Sequence, residues 1–444
     1  MAGSKYILII FAEKIVRVLN QTSNLLTAKR IRLYGTALAI VSCAIFFKLN
    51  VYSATAGRNP GADFVQFYSA AILARVSPDK IYDAAAQKQV QRQFSAGALE
   101  GIYWPYLHAP FFTVILIPLS YLPYVTAYWV WTGITILLYI LSVILLSRYR
   151  QPRQPPLTLV LPIACAAPVL YWLIATGQTT AFALFTWTLG FYLLKRNRIF
   201  WSTFVLGFLF YRAQYLMALV PLFLIRRTAI AILGMATSCL ALIVLGGLAF
   251  SFHSYAEYVN SIAEFSQRIV SQAQPLMYYV TLYGFFRPLF PHLWAITLTI
   301  TTSLLLVYWL AKTWRKTVPF HSDAFDLQYA IMVTTTLLLM HHGFVYDLIL
   351  LSIPALLIYP YRSLFSPHYK IVLTLIYFIP YIMLFFNGRF YFNPIQPLLV
   401  YLCFEIYRAY TRMDRTLAME SDFKKATALS NYDAKSMIDI PIPT

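Results

Sequence analysis

The sequence predicts an all-α polytopic membrane protein, a bundle of about 12 transmembrane helices with a helical first external loop. Three observations carry this: 60% of the residues are hydrophobic, only 11% are charged, and charge-free runs of membrane length recur along the chain. Soluble domains hold roughly 25% charged residues, so the composition excludes a water-soluble globule. No Asp, Glu, Lys or Arg occurs from Gly101 to Ser147, Gln154 to Leu194, Thr228 to Ala256, Pro288 to Ala311 or Ile371 to Gly388. A helix needs about 20 such residues to cross a bilayer.

The net charge of +19 comes from short basic clusters between apolar segments. That is the pattern of topology signals, not of a polyanion-binding face. The four cysteines, Cys43, Cys165, Cys239 and Cys403, all lie in apolar segments without CxxC spacing, so neither a disulfide framework nor a metal site is expected. No cleavable signal peptide is expected either: Tyr6 to Phe11 is a short apolar run followed by Glu13, Lys14 and Arg17, and reads as an interfacial helix.

Taken in order, residues 1–32 hold six Lys or Arg against one Glu and are placed in the cytoplasm. Leu33 to about Tyr52 crosses outward, and residues 53–108, nearly balanced in charge, form the first extracytoplasmic loop, with helical patterns near 63–75 and 82–94. Pro110 to Leu122 is apolar but short and contains Pro118. If it crossed as well as Tyr124 to Leu146, then Arg148, Arg150 and Arg153 would lie outside, so it is expected to be interfacial or re-entrant.

Leu157 to about Tyr171 then leads out to a turn at Thr176 to Thr179, and Ala181 to Leu194 returns to Lys195, Arg196 and Arg198. Ile199 to Tyr211 and Tyr215 to Ile225 read as a helical hairpin with Arg212-Ala213-Gln214 at its outer apex. Ala229 to Phe250 leads to an external stretch reaching about Gln274, with Tyr255, Tyr258, Ile262 and Phe265 as an amphipathic stripe. Leu293 to Leu310 returns; Leu327 to Met340 rises to the His341 to Asp347 turn; Leu348 to Tyr359 descends; Ile371 to Phe386 and Leu398 to Tyr410 form the last pair. Residues 412–444 are charged and end in a proline-containing stretch, a cytoplasmic tail of disordered composition. There is no internal repeat.

On this topology Asp63, His108, Gln178, Arg212, Gln214, Gln274, His341, His342, Tyr346 and Asp347 gather at the outer surface, with Arg389. Asp63 follows Pro60-Gly61 at the start of a helical pattern. With Gln66 three residues on, it has the spacing of a capping box, and it is equally a candidate general base. Asp347 could likewise cap a helix. Arg212 is the sole formal charge between Ile199 and Ile225, and an ionisable group within a membrane segment is a functional candidate; a guanidinium there suits bidentate capture of a phosphate.

The order of these motifs resembles glycosyltransferase family 87 over most of residues 60 to 360: GADFxxFY at Gly61 to Tyr68, IYD at Ile81 to Asp83, an aromatic-proline stretch, GQ at Gly177-Gln178, a basic hairpin at Arg212, and HxxxYD at His342 to Asp347. The resemblance implies a GT-C transmembrane catalytic domain over 33–411. It also implies transfer of mannose or another sugar from a polyprenyl phosphate to a lipid-linked or envelope glycan, with inversion and Asp63 as base. The other nine residues would bind substrate, His341 or His342 helping Arg212 to balance the leaving phosphate. No cofactor or metal is implied, since the lipid-linked sugar is a co-substrate and no DxD-like pair is present. The expected setting is the plasma (inner) membrane, with the site facing outward, both termini cytoplasmic, and no nucleic-acid partner. Two positions depart from the family: His108-Ala109-Pro110 stands where a tyrosine and two prolines are common, and Arg212-Ala213 where Lys-Pro is common. The competing readings are a transporter or lipid flippase using Asp63, Arg212, His342 and Asp347 as a relay, and a non-catalytic subunit of an envelope complex.

Overall fold

The computed structural model describes residues 27–55, 59–94, 103–149, 153–271, 278–386 and 393–415. The expected interfacial helix before residue 27, Gln274, Arg389 and the tail beyond residue 415 lie outside them. The described chain is helical throughout, its one β contact being an isolated bridge between Tyr279 and Phe344.

Among the described residues five helices are long and apolar enough to cross a membrane: Ala28–Lys48, Tyr124–Arg148, Ala229–Phe250, His292–Arg315 and Val345–Leu364. Two bent pairs bring the number to seven: Leu157–Ala166 with Pro168–Thr176, bent by 50°, and Ile199–Leu216 with Leu219–Ile225, bent by 107°. This is fewer than the expected dozen. Several segments read as spans are short helices, such as Thr180–Lys195 at 16 residues and Asp323–Leu339 at 17.

The Asp323–Leu339 helix is buried on nearly every side. By contrast, His292–Arg315 turns Leu293, Trp294, Leu304 and Tyr308 outward, and Ala28–Thr55 exposes Leu33, Ile40 and Phe47. In a bilayer such faces meet lipid, where exposed apolar side chains carry no penalty.

One element of the first loop differs from its three-and-four apolar spacing, which reads as an amphipathic helix. The Phe64–Val76 helix is not amphipathic in place: it is buried on both sides between Ala84–Arg92, the Pro110–Tyr121 segment and the Tyr124–Arg148 helix. Its apolar spacing was legible, but its polar positions, Gln66 and Ser69, are buried too. Pro110–Leu116 continues as a 3₁₀ turn over Ile117–Tyr121, where Pro118 withholds a backbone donor. Twelve residues at this rise cover roughly 18 Å, too little for a crossing helix.

The expected hairpin after Ile199 is instead a helix that tightens to 3₁₀ over Phe208–Leu216 and breaks before Leu219. Arg212 leaves helical geometry at φ −132°, ψ 88°, so the disturbance begins at the predicted apex, but the chain turns by 107° and does not reverse there.

Candidate active site

Asp63 is held by a clasp between two helix ends. The Pro168–Thr176 helix closes on Gly177 in the left-handed region (φ 73°), and the Gly177 and Gln178 amides both return to the Leu173 carbonyl. The turn then receives the first loop: Ala62 N donates to the Ala175 carbonyl at 3.4 Å, and Asp63 N to that of Thr176 at 2.9 Å. A Cβ at Gly177 or Gly61 would come within 2.7 Å of the Phe64 Cβ, so both glycines are required by close approach as well as by positive φ. Trp131 Nε1 donates to the Gly177 carbonyl at 2.8 Å and Tyr124 OH to that of Pro60 at 2.9 Å, fastening both strands of the clasp to the Tyr124–Arg148 helix.

The Asp63 side chain does not cap its helix. Instead Oδ2 accepts a 2.7 Å hydrogen bond from Gln178 Nε2, while Gln178 Oε1 accepts from Thr179 N at 3.3 Å, which fixes the orientation of the amide. Asp63 is only 8% exposed. Burial pushes its carboxyl from 3.8 up to about 6, against the opposing pull of the Gln178 hydrogen bond and the Arg212 charge.

Arg212 and the His341 to Asp347 turn form the facing wall. Asp347 is fully buried: Oδ1 accepts from Thr180 Oγ1 at 2.7 Å, Tyr215 OH at 3.0 Å and Arg212 Nη1 at 3.4 Å, and Oδ2 from Phe344 N at 2.9 Å. Arg212 Nη2 also donates to the His342 carbonyl at 3.2 Å. The Gln214 amide matches the His342 backbone at both ends, donating to its carbonyl at 2.8 Å and accepting from its N–H at 3.2 Å. The 3₁₀ turn that displaces Arg212 from helical geometry is thus stitched to the 341–344 backbone.

These walls enclose a cavity of about 440 Å³. Asp63, His108, Gln178, Arg212, Gln214, His341, His342 and Tyr346 all line it, so eight of the ten expected site residues converge there. Asp347 does not line it; it stands behind Arg212 as a buried counter-ion, which corrects its reading as a ligand-contacting residue.

A second correction concerns the histidines. Burial lowers the basicity of His341 and, more strongly, of His342, where the Arg212 charge adds to the effect. Both are neutral near pH 7, and what His342 offers Arg212 is a carbonyl oxygen, not a second cation. His108 is also held neutral by burial. Its ring is stacked among Tyr106, Phe112 and Tyr211, and Nε2 pairs with Thr179 Oγ1 at 3.1 Å.

Sequence reasoning passed over Trp104, Thr180 and Tyr215, and assigned Gln66 only to capping. Trp104 and Gln66 line the cavity, while Thr180 and Tyr215 hold Asp347. No local pattern marks Thr180 or Tyr215, whose shared partner Asp347 lies more than 130 residues away. Of the amphipathic stripe read at Tyr255, Tyr258, Ile262 and Phe265, the last three line the cavity from the His253–Ser271 helix and Tyr255 does not. Among the described residues no three His, Cys, Asp or Glu side chains assemble as a metal-ligand set.

No curated protein and no solved structure matches the chain. The profile of glycosyltransferase family 87 matches residues 106–340. The match begins after Asp63, takes in His108, Gln178, Arg212 and Gln214, and stops just short of the His341 to Asp347 turn. It covers just over half of the sequence, and the chain belongs to glycosyltransferase family 87.

Proposed function

We propose that this membrane glycosyltransferase moves a sugar, mannose first, from a polyprenyl monophosphate to a hydroxyl of a lipid-linked or cell-envelope glycan. The observation that carries the reading is the placement of one buried carboxylate, Asp63, and one buried guanidinium, Arg212, on the walls of a single cavity. A carboxyl poised near 6 is ionised at neutral pH, yet basic enough to take a proton as a hydroxyl becomes nucleophilic.

Asp63 accepts the acceptor's proton, and the acceptor oxygen attacks the anomeric carbon from the side opposite the leaving group. The bond from that carbon to the phosphate oxygen breaks, its electrons leaving with the lipid phosphate, and the configuration inverts. Arg212 stabilises the charge gathering on that phosphate. Of its five N–H donors, Tyr215 OH, Asp347 and the His342 carbonyl engage Nη1 and Nη2, so capacity remains for phosphate oxygens. The reading needs no cofactor beyond the co-substrate.

We place the site on the extracytoplasmic face of the inner membrane with both termini cytoplasmic. In a cysteine-free background, a membrane-impermeant maleimide should then label Asp79→Cys in intact cells and not His321→Cys.

The deciding experiment is transfer by purified protein from a synthetic polyprenyl-phosphate mannose. Asparagine keeps an acceptor oxygen for Gln178 but cannot take a proton, so Asp63→Asn should bind donor normally and transfer about a hundredfold to ten-thousandfold more slowly. Near-normal turnover by that variant rejects the base assignment.

A further inference from the structure

The spacing of Asp63 and Gln66 predicts a reciprocal cap, and the structure shows that neither side chain serves as one. Asp63 is turned to Gln178. The Gln66 backbone is satisfied, its N–H by the Asp63 carbonyl and its carbonyl by Ser69 Oγ, but its side-chain amide hydrogen-bonds to no described residue. Gln66 is only 7% exposed and lines the cavity. The amide stays open to the cavity, with two donors and an acceptor to offer a ligand.

Trp104 also lines the cavity, and its buried indole N–H finds no acceptor among the described residues. Its backbone is held at both ends by Gln91, which donates to the Trp104 carbonyl at 2.7 Å and accepts from its N–H at 3.1 Å. Gln91 also reaches Ser69 on the Phe64–Val76 helix at 3.4 Å, so Trp104 and Gln66 are fixed to one element. The structure therefore presents an aromatic residue and a carboxamide to the cavity that the carboxylate also lines.

We propose that Gln66 and Trp104 form the acceptor-sugar subsite. Gln66 bridges the reacting hydroxyl's neighbour through one donated and one accepted hydrogen bond, and Trp104 supplies the apolar contact for the pyranose. The assignment rests on the proposed reading of Asp63 as base. Gln66 lies three residues from Asp63 on the same helical face, so the group it grips is the one carrying the hydroxyl that Asp63 deprotonates. The donor phosphate belongs to Arg212 across the cavity.

The test uses full-length protein, a short-chain polyprenyl-phosphate mannose as donor and octyl α-mannopyranoside as acceptor. Gln66→Met preserves side-chain length and removes both hydrogen bonds. It should raise the acceptor KM about tenfold to a hundredfold, the scale of two neutral hydrogen bonds, with the donor KM within about twofold of wild type and kcat nearly unchanged. An unchanged acceptor KM, or a donor KM that rises in parallel, overturns the assignment. Equilibrium binding of radiolabelled octyl mannoside, with octyl tetraethylene glycol as the sugar-free comparison, gives a readout without turnover. Wild type should prefer the mannoside and Gln66→Met should not, whereas no preference in wild type overturns the subsite. Asp63→Asn keeps the two readings apart: it should bind the mannoside normally while transferring about a hundredfold to ten-thousandfold more slowly, and near-normal transfer by that variant rejects the base while leaving the Gln66 result standing.

Discussion

Gln178 donates its side-chain amide to Asp63 Oδ2 at 2.7 Å, joining two helix ends 115 residues apart in sequence. The bond favours the ionised carboxylate and so opposes the burial that raises its pKa. Gln178 thereby tunes the candidate base besides positioning it.

Removing that bond should shift the pH dependence of transfer. In wild type, kcat/KM should rise with pH through about 6 as Asp63 ionises. In Gln178→Leu the charged form loses a donor, so the acidic limb should move to higher pH by about one pH unit. Activity at pH 6.5 should fall more than activity at pH 8.5. A limb that stays in place would separate Asp63 from the titrating group.

The same carboxyl makes a stability prediction of unusual sign. Its folded pKa, about 6, lies above its ordinary value of 3.8, so the native state holds the proton more tightly. The associated stability is fully present below about pH 4 and is lost as pH rises through 6. Asp63→Asn escapes this loss and should be more stable than wild type at pH 7.5, on the order of 2 kcal/mol, with the advantage vanishing near pH 4. Apparent Tm in detergent across that range checks it.

Arg212 and Asp347 should show strong coupling. Arg212→Met leaves Asp347 buried without its counter-charge, a loss of about 3–5 kcal/mol. The double variant Arg212→Met with Asp347→Asn should recover much of that stability and still fail to bind the lipid-phosphate donor. Arg212→Lys should retain part of donor binding, since charge survives but the planar fork does not. A double variant that regains donor binding would assign Arg212 to structure alone.

Two glycines offer a matched pair. Gly177→Ala places a Cβ at φ 73° and 2.7 Å from that of Phe64, so it should cost about 1–3 kcal/mol and displace Asp63 from Gln178. Transfer should fall at least tenfold as the geometry loosens. Gly133→Ala, in the Tyr124–Arg148 helix with nothing within 4 Å of the added carbon, should be neutral or stabilising. Equal effects would remove the argument from the clasp.

Membrane class, all-helical character, the family resemblance and most of the residues that meet at the cavity were legible in the chain's local composition and order. These are properties of local composition and order: a charge-free run reports its own length and apolarity, and Arg212 stands out because nothing charged surrounds it. Packing set how many runs become long helices, and buried Asp323–Leu339 on nearly every side while leaving His292–Arg315 facing outward. Hydropathy cannot separate those cases, because lipid is as apolar as a protein core. It also decided side-chain direction. The spacing of Asp63 and Gln66 fits a cap, and Asp347 reads as a site residue, but packing turned Asp63 to Gln178, left the Gln66 amide facing the cavity, and drew Asp347 behind Arg212. The turns of Asp63 and Asp347 depend on partners brought together from more than 100 residues away, information that no window of local sequence contains.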